Sequence, residues 1–236
     1  MQRRDFIGIC AASATLSLNV TYAAQAANLR PRFYARTRLV DQSQQPLRAS
    51  TLAINRNYIF HYPFAATPCF LLNLGKPTQQ AVTLKTETGT DYEWPGGVGP
   101  RNAIVSYSAI CAHRLSYPTR QISFISYRTA AGPAKITHNN VIHCCSEHSE
   151  YDPATGARVL GGPAPQPLSA VLLEHDKATD HLYAVGTLGG EVYEAFFAKY
   201  EFKLALEYGD KRARQPVAGS AVVTELKSYC RQQVQC

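Results

Sequence analysis

Two short segments of this chain carry cysteine and histidine side chains at close spacing. Cys111 and His113 are separated by one residue, and a second segment contains Cys144, Cys145 and His148. Thiolates and neutral imidazoles are side-chain ligands that iron and zinc share in proteins. Each segment lies between runs with strand character, so each is predicted to present its ligands from a loop. The sequence therefore predicts a metal centre built from two loops.

The order and spacing of these residues resemble the Rieske iron–sulfur protein superfamily, whose motifs are Cys-x-His and Cys-x-x-His. Here the motifs are Cys111-x-His113 and Cys145-x-x-His148. Residues 162–165, Gly-Pro-Ala-Pro, are similar to the loop that covers the cluster in Rieske subunits of cytochrome bc complexes. Further segments resemble the small Rieske subunit of arsenite oxidase, namely residues 60–63, 68–69, 97–100 and 104–108. The resemblance spans about residues 50 to 190.

The resemblance implies a 2Fe–2S cluster with an asymmetric ligand set. Cys111 and Cys145 would bind the inner iron as thiolates, and His113 and His148 would bind the outer iron through one ring nitrogen. Two imidazoles in place of two thiolates make the cluster less negative. This raises its potential to roughly −150 to +300 mV, against about −400 mV for plant-type clusters with four thiolates. The other imidazole nitrogen would release a proton on oxidation and bind one on reduction.

The resemblance also implies contacts around the cluster. Ser149 or Tyr151 would donate a hydrogen bond to a bridging sulfide or a cysteine sulfur, which stabilises the reduced, more negative state. The sequence does not decide between these two hydroxyls. Pro163 and Pro165 would stiffen the loop that shields the cluster from water.

The second motif departs from the family pattern and leaves the choice of thiolate open. An ungapped alignment places Cys144 at the thiolate position and Glu147 at the imidazole position, whereas one deletion selects Cys145 and His148. We expect Cys145 and His148, because a carboxylate is a poor substitute for an imidazole at a potential-tuning site. High-potential family members also carry a loop-to-loop disulfide. Ser116 and Glu147 stand at the corresponding positions here, so we expect no such bond.

The N-terminal residues predict export from the cytoplasm. Arg3 and Arg4 precede an uncharged run rich in alanine and small polar residues, which ends in an Ala-x-Ala site at 24–26. This is typical of a twin-arginine signal peptide, which we assign to residues 1–26. The run falls short of the about 20 strongly apolar residues of a membrane span, so we expect cleavage rather than anchoring. The expected location is the periplasm, with weak membrane association left open.

Four cysteines remain after the signal is removed and two ligands are assigned: Cys69, Cys144, Cys230 and Cys236. An oxidising periplasm would permit two disulfides among them, by three pairings. Our first expectation is Cys230 with Cys236, because these two are close in sequence. Cys69 would then pair with Cys144 and tether the second loop by another route.

Short runs of β-branched and aromatic residues, separated by glycine and proline, recur along the chain. They predict strands at residues 51–54, 58–62, 70–74, 81–86, 103–107, 122–127, 136–142, 170–174, 181–186 and 192–197, with a turn at 131–133. The pattern predicts an all-β fold, a Rieske-type antiparallel sandwich or barrel with a small cluster-binding subdomain. We divide the mature chain into an arm or linker at 27–48, the Rieske domain at 49–200 and an extension at 201–236. A C-terminal helix is predicted within 217–235.

Charge and resemblance together suggest the class of partner. The formal net charge of +7 falls to +6 without the signal, because Arg3, Arg4 and Asp5 contribute +1. A basic face would suit an acidic electron-transfer partner. The resemblance implies a redox partner protein, either the large subunit of a molybdenum oxidase or a cytochrome b or c. Nucleic acid is not an expected partner of an exported protein.

The leading hypothesis is a periplasmic Rieske electron-transfer protein, a subunit of a larger oxidoreductase rather than a stand-alone catalyst. Two other classes compete with it: a structural zinc domain with two Cys and two His ligands, and a binding module that has lost its cluster. A Rieske oxygenase is not expected. The 88 residues after His148 lack a convincing ligand set for a second iron site.

Overall fold

The computed structural model describes residues 28–130, 138–209 and 211–236. The twin-arginine signal predicted at 1–26 and the turn predicted at 131–133 lie outside these residues. The described chain is mostly β, which confirms the predicted fold class, with two α-helices, α1 at Tyr193–Tyr208 and α2 at Leu226–Tyr229. Neither of these helices has the length and apolar content to cross a membrane.

Strands are the predominant regular element of the described chain. In chain order, β1 to β16 are Arg32–Val40, Tyr58–His61, Pro68–Asn73, Val82–Lys85, Asp91–Trp94, Ile104–Ser108, Ile122–Ser123, Ile125–Arg128, Val141–Cys144, Ser149–Asp152, Arg158–Gly161, Ala170–Asp176, His181–Leu188, Gly219–Val222, Thr224–Glu225 and Gln232–Gln233. Short 3-10 turns lie at Ala49–Thr51, Pro100–Asn102 and Pro153–Thr155. Of the predicted strands, 51–54 contains only part of the first turn and an isolated bridge at Ile54.

Eight strands form the main sheet, in the spatial order β14-β1-β13-β12-β6-β3-β2-β15. Its neighbours are antiparallel except β1 and β14, which run parallel. Side chains alternate across the central strand β3. Phe70 and Leu72 enter one hydrophobic cluster, while Cys69 and Leu71 enter another. The sheet is therefore buried on both faces at its centre.

A smaller antiparallel sheet, in the order β11-β10-β9-β8, carries the second cysteine-histidine segment. The hairpin of β9 and β10 brings this segment against the end of β6, from which the first segment emerges. Both segments contribute a cysteine, Cys111 and Cys144, to the same hydrophobic cluster as Phe70 and Tyr107. The two sheets thus hold the two predicted ligand loops together.

Three predicted elements differ from the observed structure. Residues 192–197, predicted as a strand, begin α1, because Tyr193, Phe196, Phe197 and Leu204 recur at helical spacing and form its buried side. The helix predicted within 217–235 is reduced to α2, since this segment instead adds β14, β15 and β16 to existing strands. The arm predicted at 27–48 contains β1, a strand of the main sheet.

Candidate metal centre

The first ligand loop, residues 111–117, follows directly after the buried strand β6. Cys111 has no exposed surface. The loop is a tight turn: the Cys111 amide donates to the Ser116 carbonyl at 2.9 Å, and the Leu115 amide donates to the Cys111 carbonyl at 3.0 Å. His113 lies half-buried within this turn. The Cys-x-His spacing therefore puts the sulfur in the core and the imidazole nearer the surface.

Helix α1 supports the first ligand loop from behind. The ring of Tyr117 packs edge-on against Phe196 at 4.9 Å between centroids, and against Tyr200 at 5.0 Å. Lys199 donates from Nζ to the Arg114 carbonyl at 2.6 Å. Aromatic pairs of this kind add to the stabilisation that burial alone provides. The loop thus rests on a helix that the sequence analysis did not predict.

The second ligand loop, residues 144–149, connects β9 to β10. Side chains alternate along β9, so Ile142 and Cys144 both enter the hydrophobic cluster that contains Cys111. Cys145, the next residue, leaves this cluster. His148 has a φ of +60°, in the left-handed region where residues other than glycine are uncommon. The backbone turns sharply at this residue, and its ring is half-buried.

The sulfurs of Cys111 and Cys144 interact directly in the core. A hydrogen bond from Cys144 lowers the pKa of the Cys111 thiol to about 5, against the opposing effect of burial. The same bond, together with burial, raises the pKa of Cys144 far above its usual range. The Tyr151 hydroxyl lies 3.5 Å from Cys111 Sγ and also favours its thiolate. The two sulfurs therefore lie close together in the core, where both could bind one metal centre.

The two imidazoles of the predicted motifs each carry a buried nitrogen without a partner. The Nδ1 atoms of His113 and His148 are shielded from solvent and have no hydrogen-bond partner in the described part of the chain. A buried nitrogen in this state costs free energy unless a further group satisfies it. His143 stacks on His148 with 5.6 Å between ring centroids and 29° between planes. This stacking holds the His148 ring in place.

Two core sulfurs and two partnerless Nδ1 atoms are the donor set of a Rieske-type cluster, and the residues present fit that group. The cysteines have no exposed surface and the histidines are half-buried. This asymmetry would place the thiolates in the interior and the imidazoles towards the outside. The same donors also suit tetrahedral zinc, so the donor types alone do not name the metal.

Cys145, expected as the second thiolate, forms a disulfide with Cys236. Its sulfur is bonded to carbon and to another sulfur, so it is not a free thiolate here. Cys144 lies beside Cys111 instead, with three residues rather than two before His148. Cys144 therefore replaces Cys145 as the candidate for the second thiolate. The ligand roles of Cys111, His113 and His148 stay predictions.

Both expected disulfides are wrong. Cys69, Cys144 and Cys230 have free thiols. The Cys69 thiol donates to the Tyr62 carbonyl at 2.9 Å, within a hydrophobic cluster separate from that of Cys144. Cys230 follows α2, and the chain then runs along β7 as β16, which carries Cys236 to Cys145. Sequence proximity therefore did not predict the bond.

The two ligand loops are joined by a hydroxyl pair rather than a disulfide. Ser116 and Ser146 lie 2.7 Å apart between their Oγ atoms. Glu147, which we aligned with the missing cysteine, instead pairs with Arg114 of the first loop at 2.8 Å. Ser146, rather than Glu147, is therefore the residue that faces Ser116 across the two loops.

The two hydroxyls considered as donors to the cluster occupy different positions. Ser149 is fully buried, and its Oγ has no hydrogen-bond partner among the described residues. Tyr151 is also fully buried and already reaches the Cys111 sulfur. Both arrangements are compatible with a hydrogen bond to a sulfur ligand, and they differ in that Tyr151 contacts a ligand residue directly.

The proline loop, residues 162–167, approaches the second ligand loop closely. Gly162 has a φ of +80°, and a Cβ on it would lie 2.5 Å from the His148 carbonyl oxygen and 2.6 Å from Ser149 Cα. Only glycine leaves room for this approach. Pro163 and Pro165 are themselves exposed. Their predicted shielding role therefore stays a prediction, and the contact with the ligand loop is made by Gly162.

Sequence reasoning did not assign His143, Cys236 or Arg128 to this centre. His143, Cys145 and Cys236 bring a ring nitrogen and two sulfurs within 4.8 Å of one another. Arg128 lies 3.6 Å from Cys145 Sγ through Nη2. The alternation of side chains along β9 could have indicated which cysteine faces the core, because Ile142 and Cys144 lie on one face of the strand and Cys145 does not lie on that face. Nothing in the sequence pointed to Arg128.

The chain was compared with protein-family models and with solved structures. No family model matches this chain. Among solved structures, it is similar to the crystal structure of the soluble domain of the Rieske protein II (soxF) from Sulfolobus acidocaldarius. The two chains are 28% identical over 65% of this chain and 78% of the other, with a TM-score of 0.45.

Proposed function

We propose that this chain is a Rieske-type electron-transfer protein with a 2Fe–2S cluster. Cys111 and Cys144 would supply the thiolates, and His113 and His148 would supply the imidazoles. The observation that carries the proposal is that Cys111 and Cys144 share one buried cluster, while His113 and His148 of the same two loops each have a buried Nδ1 atom with no partner in the described chain. Such atoms rarely remain unsatisfied in a folded protein.

When bound, a cluster of this type accepts and donates single electrons at a higher potential than one held by four thiolates. The residues of the chain would set the access of water to the cluster, the stabilisation of its negative charge and the side from which a partner approaches. Burial of Cys111 and Cys144 keeps water from the sulfur side, and the Tyr151 hydroxyl stabilises negative charge on Cys111. The half-buried rings of His113 and His148 lie nearer the surface, where a partner could approach.

We further propose that the protein works in the periplasm with a redox partner protein. The support for this location is the twin-arginine pattern at residues 1–26, which suits export after cofactor insertion. The partner class, a molybdenum oxidase subunit or a cytochrome, comes from the motif resemblance. The net charge of +6 that remains without residues 1–26 favours an acidic docking surface on that partner.

Anaerobic isolation of the full chain, followed by metal analysis, tests the cluster. We expect two iron atoms and two acid-labile sulfides per chain, together with a rhombic electron paramagnetic resonance signal on reduction. One zinc per chain and no colour would replace the proposal with a structural zinc domain. A folded chain with neither metal nor sulfide would replace it with a cluster-free binding module.

A further inference from the structure

The C-terminal segment, residues 232–236, runs along β7 and is bonded through Cys236 to Cys145 of the second ligand loop. Its strand β16 pairs in parallel with β7, with Gln232 opposite Ile122 and Gln233 opposite Ser123. The Val234 amide then donates to the Ser123 carbonyl at 2.9 Å. Terminal residues usually fray unless specific contacts hold them. This terminus is held by continuous backbone pairing up to its last residues.

Arg128 connects the C-terminal segment to the second ligand loop. Its guanidinium donates to the Gln235 side-chain oxygen and to the Val234 carbonyl. The same group lies 3.6 Å from the Cys145 sulfur. Arg128 is on β8, which pairs with β9, the strand that ends at Cys144. One side chain thus links the terminus to the strand that precedes the loop.

The Cys145–Cys236 disulfide completes this connection covalently, across a sequence separation of 91 residues. Cys145 follows Cys144, the proposed thiolate ligand. His143 Nδ1 lies 3.5 Å from Cys236 Sγ, and the same ring stacks on His148, the proposed imidazole ligand. Both proposed ligands of the second loop therefore touch or adjoin residues that the disulfide fixes.

Within residues 28–130, 138–209 and 211–236, no covalent bond joins the first loop to the second. Among the described residues, the two loops are linked by the Ser116–Ser146 hydroxyl pair and the Arg114–Glu147 ion pair. The ion pair is largely exposed, and exposed pairs contribute about 1 kcal/mol or less. Within the described chain, the covalent restraint on the second loop is the bond from Cys145 to Cys236.

We infer that the C-terminal segment is a positioning element for the second ligand loop, fastened by the Cys145–Cys236 disulfide. A dithiol reductant would open it by thiol–disulfide exchange: the reductant forms its own disulfide, and Cys145 and Cys236 each gain one electron and one proton. Loosening the loop would admit water to the sulfur side, which lowers a cluster potential. This last effect rests on the proposed function, whereas the loosening does not.

The test compares the full chain with the double variant Cys145→Ser/Cys236→Ser. Cys69→Ser is the matched control, because Cys69 has a free thiol in a different hydrophobic cluster. Hydrogen–deuterium exchange of the 144–149 peptide is measured first, without any requirement for a cluster. We expect at least about tenfold faster exchange in the double variant and no change in the control.

Two further readouts use the loaded protein. In the double variant we expect a lower cluster potential by voltammetry and at least about threefold faster loss of colour in air. The Cys69→Ser control should match the wild type in both. Treating the wild-type chain with a dithiol should reproduce the faster exchange, and reoxidation should reverse it, which guards against a misfolded variant.

The outcomes separate this inference from the proposed function. Wild-type exchange rates in both the double variant and the dithiol-treated chain would overturn the positioning role, whether or not a cluster is present. Faster exchange in a chain that never binds iron would support the positioning role and refute the cluster. Faster exchange with unchanged potential and cluster lifetime would overturn the claim that the tether tunes the centre.

Discussion

The two ligand loops reach the same core by different means. The first keeps a Cys-x-His spacing, closes on its own backbone and rests on α1 through Tyr117. The second has three residues between Cys144 and His148, turns through a left-handed residue, and is contacted by Gly162 and by the C-terminal disulfide. The first loop is held by its own turn and by noncovalent packing on α1, whereas the second is also fastened by a covalent bond across 91 residues.

This difference explains why one motif could be assigned from sequence and the other could not. The first loop is a short turn that follows a buried strand and packs against α1. This arrangement leaves little freedom in which of its residues faces the core. The second loop contains adjacent cysteines, so a shift of one residue exchanges the sulfur that enters the core. Its contacts with residues far along the chain select one register.

Exchanging the thiolate of the second loop should have the largest effect. Cys144→Ser should leave less than about a tenth of the wild-type iron after anaerobic isolation, because it removes a cluster ligand. The double variant Cys145→Ser/Cys236→Ser should retain the cluster under the same conditions. Iron and sulfide analysis of both variants shows which cysteine is needed to retain the cluster. A coloured Cys144→Ser protein beside a colourless double variant would reverse the assignment.

Adjacent residues of the second loop should also behave differently. His148→Ala should abolish the Rieske-type resonance signal, because it removes an imidazole with a buried, partnerless Nδ1. Glu147→Gln should retain it, since Glu147 only pairs with Arg114 at the surface. Electron paramagnetic resonance of the reduced proteins distinguishes the two. Loss of the signal in Glu147→Gln alone would make the carboxylate the ligand.

The close approach of the proline loop provides a smaller, structural test. Gly162→Ala should lower the free energy of unfolding by about 2 kcal/mol, because its Cβ would meet the second loop at a positive φ. The neighbouring Gly161→Ala is the control, since its Cβ would meet nothing within 4 Å. Thermal unfolding should show a decrease of about 4–8 °C for Gly162→Ala only. Equal decreases in the unfolding temperature of the two variants would show that the contact of Gly162 does not stabilise this loop.

Loss of one hydrogen bond should produce the smallest change. Tyr151→Phe should lower the cluster potential by roughly 50 mV, because the hydroxyl no longer stabilises charge on Cys111; this corresponds to about 1 kcal/mol for one electron. Tyr107→Phe is the control, since its hydroxyl donates to the Pro153 carbonyl instead. Voltammetry of both variants measures the shift. An unchanged potential in Tyr151→Phe would favour Ser149 as the donor.

Much of the fold followed from residue patterns. Runs of β-branched and aromatic residues predicted β2, β3, β6, β12 and β13 close to their observed bounds. The same reasoning failed at 192–197, where aromatic residues suggested a strand although their spacing fits a helix. It also failed at 27–48, where a polar, basic segment pairs at the edge region of the main sheet. Polar composition alone did not reveal backbone pairing.

The amino-acid sequence by itself determined the ligand types, the spacing of the first motif and the strand-rich character of the chain. These are local properties, set by side-chain chemistry and by short-range periodicity. Only the tertiary structure decided that Cys144 rather than Cys145 faces Cys111, and that Cys236 meets Cys145. Those choices depend on strand register and on a contact across 91 residues, which no local pattern encodes.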